Sequence, residues 1–284
     1  MAVSNIFKCT GNEVESIPDN IIEGLGMSYE EINSNGSNIA NLSKVLQEYR
    51  DLPYCRLPFC HTVEAESFGS TVILDHRLGN RISEYSINDI DSIEELAEMD
   101  LSKGRISEVL KAVSILEDDG QYVILDVTGP TTIGTSIMSS QLFFRTARKN
   151  IDKLNQLLEL IEDGTVAYII EGVKKGVDVF SFADPAGTMD IVGPKVYKMV
   201  TGRTTYNMLK KLEGKLGHAA IHLCGKTSTS LEAVGFLDSQ IINVDGENYF
   251  DMIKNAKKQE AYLIGHWCLK LNKKNNRITK CILK

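Results

Sequence analysis

The chain has 284 residues, of which 43% are hydrophobic and 24% are charged, and its formal net charge is −7. A chain of this length and composition can bury a large core, so we expect one domain over residues 1–284, with residues 1–50 as a helical N-terminal extension. The negative charge argues against nucleic-acid binding, because the phosphate backbone attracts cationic surfaces. We therefore predict no nucleic acid among the partners.

Hydropathy gives no sign of a membrane protein. No stretch approaches about 18 consecutive apolar residues, and residues 1–20 lack a basic region followed by an apolar one. We therefore expect a soluble, cytoplasmic protein with no membrane among its partners. The six cysteines are too sparse for a disulfide scaffold, and in a reducing compartment their thiols are available as metal ligands.

Helical and extended apolar patterns alternate along the chain. Residues 27–50 have helical character, with Ser28 as the N-cap and Glu30 and Glu31 in the first turn. Further helices are predicted at residues 93–116 with a break near 100–104, at 141–162, 164–175 and 194–216, near Leu231, and around 249–257. Extended segments or strands are predicted at residues 52–59, 72–74, 122–126, 177–181, 219–223, 240–244, 262–264 and 277–283.

Such alternation implies an α/β fold with parallel strands and right-handed crossovers. A closed barrel and an open doubly wound sheet both satisfy it, but no Gly-x-Gly-x-x-Gly or Walker sequence follows a predicted strand, which disfavours a nucleotide-binding open sheet. We therefore predict a (β/α)₈ TIM-type barrel, truncated or irregular at the termini. In a barrel the strand ends converge on one mouth, and the polar residues predicted there are Asp126, residues 181–184, His222 with Cys224, Asp245, and His266 with Cys268.

Two soft metal ligands, His222 and Cys224, follow the apolar residues 219–221. On a strand, residues i and i+2 point to the same side, so this pair is placed to bind one ion, and the donor set favours zinc. A third thiol, Cys268, closes another apolar run. Three protein ligands leave one open position on a tetrahedral ion, which is typical of a catalytic site. The alternative is that the His and Cys are ordinary core residues.

Four segments resemble the uroporphyrinogen decarboxylase superfamily: residues 57–69 (LPFCHTVEAESFG), 126–130 (DVTGP), 182–185 (FADP) and 222–225 (HLCG). Within it they are most similar to the zinc-dependent corrinoid methyltransferases, the branch that includes the methylcobamide:coenzyme M methyltransferases. The resemblance covers roughly residues 50–270. Its most specific elements are the Val-Glu-Ala-Glu segment and the His-x-Cys-Gly turn.

The resemblance implies zinc bound by His222, Cys224 and Cys268, and a methyl group that passes between a corrinoid and a zinc-activated group. Cys281 is the alternative third ligand, because the interval between Cys224 and Cys268 is shorter than in the coenzyme M enzymes. Residues 75–79 (DHRLG) are one residue short of the corrinoid-binding Asp-x-His-x-x-Gly motif, and we interpret them as a surface turn. The corrinoid is therefore expected on a separate partner protein.

Three carboxylates near predicted strand ends, Glu64, Asp184 and Asp245, are assigned orienting or proton-handling roles around the zinc. His61 and Asp126 are assigned contacts with the cofactor at the mouth. Each of the three carboxylates also has a structural interpretation, since the first two are placed to cap helices and Asp-Gly at 245 and 246 is a common turn.

A rival metal cluster consists of Cys55, Cys60 and His61. No second cysteine pair completes a structural four-ligand set, so we interpret Cys60 and His61 as residues that line the mouth.

The predicted function is zinc-dependent methyl transfer between a corrinoid protein and either a zinc-bound thiol or a methylated ether or amine, in a direction that the sequence leaves open. One alternative is a metal-free decarboxylase of the same superfamily, which needs cationic groups for substrate carboxylates. The basic residues expected near the mouth are Arg56, Arg77 and Arg81. Another alternative is a non-enzymatic partner of a corrinoid protein.

Overall fold

The structure is a computed structural model that describes residues 6–8, 16–271 and 275–284. The strands are β1 (Cys55–Leu57), β2 (Thr71–Ile73), β3 (Arg81–Glu84), β4 (Val123–Thr128), β5 (Val179–Ala183), β6 (Ala220–Cys224), β7 (Leu237–Asn243), β8 (Leu263–Trp267) and β9 (Arg277–Leu283).

The α-helices are α1 (Asp19–Leu25), α2 (Tyr29–Asn33), α3 (Gly36–Tyr49), α4 (Val63–Ser67), α5 (Gly104–Asp118), α6 (Pro130–Ile137), α7 (Ser140–Lys149), α8 (Ile151–Lys174), α9 (Met189–Val192), α10 (Pro194–Val196), α11 (Gly202–Leu212), α12 (Gly225–Ala233) and α13 (Tyr249–Ala256). Short 3₁₀ turns span Asp91–Glu95, Pro185–Gly187 and Lys257–Gln259, and a π-helical turn, Tyr197–Thr201, joins α10 to α11. In the described part of the chain, no helix has both the length and the apolar character to cross a bilayer.

Among the described residues, seven strands form one sheet in the order β1-β4-β5-β6-β8-β9-β7. The first five of these are parallel neighbours, whereas β9 runs antiparallel to both β8 and β7. β2 and β3 form a separate antiparallel hairpin. The predicted α/β class is confirmed. The fold departs from a regular barrel near the carboxyl terminus, where β7 and β9 break the parallel order. The described strands do not close into a ring.

The sheet separates two buried cores, because successive residues of a strand point to opposite faces. The outer face, which packs against α3, α5, α8 and α11, buries Leu57, Leu125, Phe180 and Leu223. The inner face, which packs against α13, buries a second set of strand residues: Ile124, Val179, Ala220 and Ile264. Adjacent residues such as Ile124 and Leu125 thus belong to different cores. Side chains along β4, β5 and β6 therefore alternate between the inner and the outer face.

The N-terminal helices follow local capping rules. Ser28 is the predicted N-cap: its Oγ accepts from the Glu31 N–H at 3.2 Å, and the Glu31 carboxylate accepts from the Ser28 N–H at 2.7 Å. The single helical stretch predicted over residues 27–50 is two helices, because Asn35 caps a new one. Gly36 begins it without a Cβ, which would lie 2.9 Å from the Glu108 carbonyl oxygen of α5. The glycine therefore lets α3 and α5 approach closely.

The predicted break between helices at residues 162–164 is wrong. α8 runs unbroken through Gly164, and the chain breaks instead at Asn150. A Cβ at Gly164 would lie 3.0 Å from the Met99 side chain and 3.3 Å from that of Phe68. This glycine serves close packing against α8, a tertiary effect that local helix propensity does not reveal.

The prediction of parallel strands throughout is wrong at the carboxyl-terminal end. Residues 268–276 join β8 to β9, and this connection is too short for a helical crossover, which needs about a dozen residues. β9 therefore turns back antiparallel to β8, and β7 adds to the far side of β9. The consequence is that β7 does not lie next to β6, although it follows β6 in the chain.

Candidate functional site

One row of side chains crosses the inner face of the sheet. The strand register pairs Asp126 with Ser181, Ser181 with His222, and His222 with Ile264. Paired residues of parallel strands face the same side, so these four side chains share the inner face. The structure therefore brings two predicted site residues, Asp126 and His222, to one face with a single strand between them.

His222 and Cys224 have the backbone that a shared ion requires. Both lie on β6, two residues apart, which places their side chains on one side of the strand. His222 is buried, and its ring lies edge-on to Tyr249 of α13 with 5.5 Å between ring centroids. Cys224 is partly exposed, and α12 begins at the next residue, Gly225.

Cys268 lies at the end of the strand next to β6. Cys224 pairs with Trp267 of β8, and Cys268 follows directly. The alternative ligand, Cys281, is buried in the outer core, with its Sγ 3.9 Å from His266 Nδ1. Burial raises the pKa of the Cys281 thiol to about 12. The backbone thus brings Cys268 rather than Cys281 to the strand end beside Cys224.

The donor types of His222, Cys224 and Cys268 fit zinc, which prefers nitrogen and sulfur ligands. Their backbone positions also fit, because all three lie near the carboxyl end of the β6–β8 pair. Over residues 6–8, 16–271 and 275–284, however, no group of three His, Cys, Asp or Glu side chains is close enough together to hold a metal ion. Binding by this set therefore requires the side chains to converge further.

An N-terminal segment covers the junction between β6 and α12. The Phe7 N–H donates to Thr229 Oγ1 at 3.0 Å, and the Phe7 ring lies 6.1 Å from the Trp267 ring between centroids. A Cβ at Gly225 would come within 2.6 Å of the Phe7 ring, so the glycine permits this contact. Phe7 was not predicted as a site residue, and no motif in the sequence signals its position.

A cavity of about 640 Å³ opens at the carboxyl ends of β1 and β4. Its wall includes His61 and Asp126, the residues assigned to cofactor contact, together with Arg56 and Lys270. Arg56 donates to both Asp126 oxygens, from Nε at 2.8 Å and from Nη2 at 3.0 Å. The structure thus brings His61 and Asp126 to one cavity, while their contact with a cofactor stays a prediction.

Glu64 lies in α4 and is buried against the end of β4. Its Oε1 accepts from the Thr128 N–H at 2.7 Å, and its Oε2 accepts from the Thr128 hydroxyl at 3.0 Å. Burial raises the pKa of Glu64, and the hydrogen bonds from Thr128 oppose that rise. In this arrangement the carboxyl joins α4 to β4, and the proton-handling role stays a prediction.

Asp184 is buried after β5 and caps a neighbouring helix, α6. Its Oδ1 accepts from the Thr132 N–H at 2.8 Å and from the Thr132 hydroxyl at 2.7 Å. Its Oδ2 accepts from the Thr131 N–H at 3.2 Å and from the Thr205 hydroxyl at 3.3 Å. Burial raises the pKa of Asp184, and the bonds from Thr132 and Thr131 lower it. The geometry matches the capping interpretation of this residue.

The structure does not bring Asp245 to the other predicted site residues. Asp245 is exposed after β7, and β9 and β8 lie between β7 and β6. Its Oδ1 accepts from Asn276 Nδ2 at 3.1 Å, and its carbonyl oxygen accepts from Asn255 Nδ2 at 2.8 Å. These contacts fit the turn interpretation.

Arg105 of α5 was not predicted, although it is buried beside the cavity residue Cys60. Its guanidinium donates to Glu66 at 2.7 Å and to Cys60 Sγ at 3.2 Å. Its burial could have been predicted from the sequence, because the helical period places Arg105 on the same helix face as the buried residues Val109 and Leu116. A charged residue on such a face needs a partner.

The buried Glu64 carboxyl is expected to make stability depend on pH. Because its pKa is raised in the folded state, its contribution to stability is full below the unfolded-state pKa of about 4.3 and is lost as pH rises through the folded-state pKa. We therefore expect Glu64→Gln to gain stability relative to wild type as pH rises, in urea unfolding at a series of pH values. Glu159→Gln, at an exposed position, is the control. A Glu64→Gln difference that is constant with pH would contradict this account.

Removal of the Asp184 carboxylate is expected to cost stability. Asp184→Ala leaves the N–H groups of Thr131 and Thr132 without their acceptor at a buried helix end, which lowers the free energy of unfolding by about 3 kcal/mol. Denaturant unfolding measures the loss, and Asp184→Asn should restore part of it. An alanine variant with unchanged stability but lost turnover would instead assign Asp184 to the chemistry.

Comparisons with known proteins agree with this architecture. The chain is 25% identical over 221 residues to methylcobamide:CoM methyltransferase MtaA of Methanosarcina barkeri (strain Fusaro), a match that covers 74% of this chain and 62% of that protein. It is 24% identical over 231 residues to methylcobamide:CoM methyltransferase MtbA of Methanosarcina mazei, covering 79% of this chain and 67% of the relative. The chain therefore spans about two thirds of the length of these relatives.

A solved methyltransferase from Methanosarcina mazei has the same fold, with a TM-score of 0.63 and 22% identity over 78% of this chain and 65% of that one. Residues 14–268 match the family model described as uroporphyrinogen decarboxylase (URO-D), whose fold is a TIM barrel. The predicted TIM-type fold class is thereby confirmed. The match extends over most of the 284 residues, and the chain belongs to the uroporphyrinogen decarboxylase family.

Proposed function

We propose that the protein transfers a methyl group between a corrinoid on a separate protein and a thiol or methylated small molecule, with zinc held by His222, Cys224 and Cys268. The observation that carries this proposal is the His-x-Cys pair on one side of β6, with a second thiol at the end of the neighbouring strand. The relatives named as methylcobamide:CoM methyltransferases support it. This chain spans only 62% of the first of these relatives. The proposal therefore depends on the site residues of this chain as well as on the similarity.

When bound, zinc would supply Lewis acidity that keeps a thiol in its thiolate form or stabilises a leaving heteroatom. The residues of the chain have their own tasks. Burial and the edge of the Tyr249 ring hold the His222 imidazole in one orientation. Packing of α13 on the inner face keeps water away from the base of the site. Cys224 and Cys268, as thiolates, would offset the charge of the ion and leave a bound substrate thiolate nucleophilic.

The corrinoid is proposed to arrive on a partner protein and to face the cavity lined by His61 and Asp126. The segment closest to a corrinoid motif, residues 75–79, forms a turn, and Asp75, His76 and Leu78 line the same cavity. Asp75 Oδ1 accepts from the N–H groups of Arg77 and Leu78, both at 2.9 Å. His76 Nε2 lies 2.9 Å from Asp19 Oδ1, so its imidazole is engaged within the chain.

The decarboxylase alternative requires cationic groups for substrate carboxylates, and the predicted basic residues are already paired. Each of the three arginines has an aspartate partner: Arg56 with Asp126 at 2.8 Å, Arg77 with Asp19 at 2.7 Å, and Arg81 with Asp75 at 3.2 Å. Arg77 in addition is largely exposed. Arg56 and Arg81 line the cavity together with Arg50 and Lys270, so what favours the methyltransferase proposal over a metal-free decarboxylase is the His-x-Cys pair on β6 and not a lack of cations.

Serine substitution at the proposed thiol ligands is expected to abolish zinc binding. Cys224→Ser and Cys268→Ser should each lower the zinc content from about one ion per chain to near zero, because a hydroxyl is a poor substitute for thiolate. Elemental analysis of protein purified without chelator measures this. Cys60→Ser, which removes a thiol at the β1 end of the sheet, is the matched control and should keep its zinc.

Undiminished zinc in both Cys224→Ser and Cys268→Ser would reject this site. Loss of zinc in Cys281→Ser, with zinc retained in Cys268→Ser, would show that Cys281 and not Cys268 is the third ligand.

Methyl transfer is expected only when a corrinoid protein is present. We would mix the purified chain with methylated or cobalt(I) corrinoid protein and with thiols, methyl ethers or methylamines, and follow the cobalt absorption spectrum. Demethylation of methylcobalt by a thiol would mark an acceptor-side enzyme, and methylation of cobalt(I) by an ether or amine would mark a donor-side enzyme. The Cys224→Ser variant should give neither change. No spectral change with any substrate, in zinc-replete wild type, would support the non-enzymatic alternative.

A further inference from the structure

We propose that His266 and Glu232 are positioning residues for the zinc site. They tie α12, which begins directly after Cys224, to β8, which ends directly before Cys268. This inference rests on the proposed function, because it assigns these residues a task toward the same ion. We call the pair of His266 and Glu232 the α12–β8 clamp.

The first observation is a bulge in β8. His222 pairs with Ile264, but Cys224, two residues later, pairs with Trp267, three residues later. The extra residue is accommodated at His266, whose φ of 61° lies in the left-handed region. A residue other than glycine adopts that conformation only where its surroundings hold it there.

The second observation is the set of contacts that hold His266. Its backbone N–H donates to Ser228 Oγ at 2.7 Å, and its Nε2 lies 2.7 Å from Glu232 Oε2. Ser228 and Glu232 are four residues apart on α12, so they present their side chains on the same side of that helix. The Ser239 hydroxyl of β7 donates to the Glu232 carboxylate and fixes it from the other side. Backbone and side chain of His266 are thus both bound to one helix.

The third observation is direct packing of α12 on the β8 backbone. A Cβ at Gly265 would lie 2.6 Å from Ser228 Cβ and 2.9 Å from Cys281 Sγ. Only a glycine fits there, and α12 therefore lies against β8 without an intervening side chain. This close approach fixes how far the start of α12 lies from the end of β8.

The clamp matters for the metal because the two elements that it joins, α12 and β8, adjoin the two proposed thiol ligands, although Glu232 itself lies near the far end of α12. Cys224 is the residue before α12, and Cys268 is two residues after His266. The side chains of the described residues do not yet form a three-donor site, so convergence depends on where the backbone holds these two cysteines. We infer that the clamp sets that separation from the outer face, without contact with the ion.

The cysteine beside His266 does not convert this cluster into a second reactive site. The His266 ring lies between Cys281 and Glu232, with its Nδ1 3.9 Å from Cys281 Sγ and its Nε2 2.7 Å from Glu232 Oε2, a sequence of contacts that resembles a nucleophile–base–acid arrangement. The thiol is only 5% exposed, however, and the raised pKa keeps it protonated at neutral pH. A buried, protonated thiol is a poor nucleophile, so its contact with Nδ1 is structural.

Two substitutions test the clamp. Glu232→Gln keeps the shape of the acid without its charge, and His266→Asn keeps a residue that tolerates a positive φ without the imidazole. We expect each to weaken zinc affinity about tenfold, which is the lower end of the cost of losing groups that orient metal ligands. Affinity is measured by competition with a chromogenic chelator. Lys226→Gln, which breaks the 3.0 Å ion pair of α12 with Asp190, is the matched control and should bind zinc as wild type does.

A second measurement separates positioning from general stability. The melting temperature of the zinc-free variants should fall no more than that of Lys226→Gln, and cobalt(II) substitution should show weaker thiolate-to-metal charge-transfer absorption in the two clamp variants. Unchanged zinc affinity in both variants would overturn the clamp while leaving the proposed function intact. A loss of affinity that merely follows a loss of zinc-free stability would also overturn it. A wild-type chain that binds no zinc would reject the proposed function itself, and the clamp with it.

Discussion

The pairing of β6 with β8 is the constraint on which the proposed site depends. With an unbroken register, His266 would lie opposite Cys224, and Cys268 would be two residues past the paired position. The bulge moves Trp267 into that position, so that Cys268 is the next residue. A single extra residue in one strand therefore decides which residue of β8 lies opposite Cys224, and α12 holds that extra residue in an uncommon conformation.

The buried carboxylates near the site differ from the proposed ligands because their oxygens are already used in hydrogen bonds within the protein. Glu64 and Asp184 each accept several hydrogen bonds from threonines, and each connects a helix to a strand end or to a neighbouring helix. Burial raises the pKa of both groups, and these hydrogen bonds are what stabilise their charged forms. Asp126 differs, because its partner Arg56 holds it at the cavity wall.

Local signals in the sequence predicted local structure well. The cap at Ser28 and the buried strand within residues 122–126 both follow from short patterns, and the structure has both. The predicted helix break at Gly164 is wrong, because the glycine is there to allow close packing against Met99. The sequence pattern predicts His266 beside Cys268 at the mouth, whereas in the structure its ring lies on the outer face, because a bulge reverses the alternation of side chains. Hydropathy gives no sign of a bulge, so only long-range packing places it.

The most direct test of the account is the zinc K-edge X-ray absorption spectrum of the intact, zinc-loaded chain. We expect two sulfur neighbours at about 2.3 Å and one imidazole nitrogen at about 2.0 to 2.1 Å, with a light atom at the remaining position. Addition of a substrate thiol should raise the sulfur count by one. A first shell of oxygen and nitrogen alone, or one that contains four sulfurs before any thiol is added, would contradict the assignment of His222, Cys224 and Cys268.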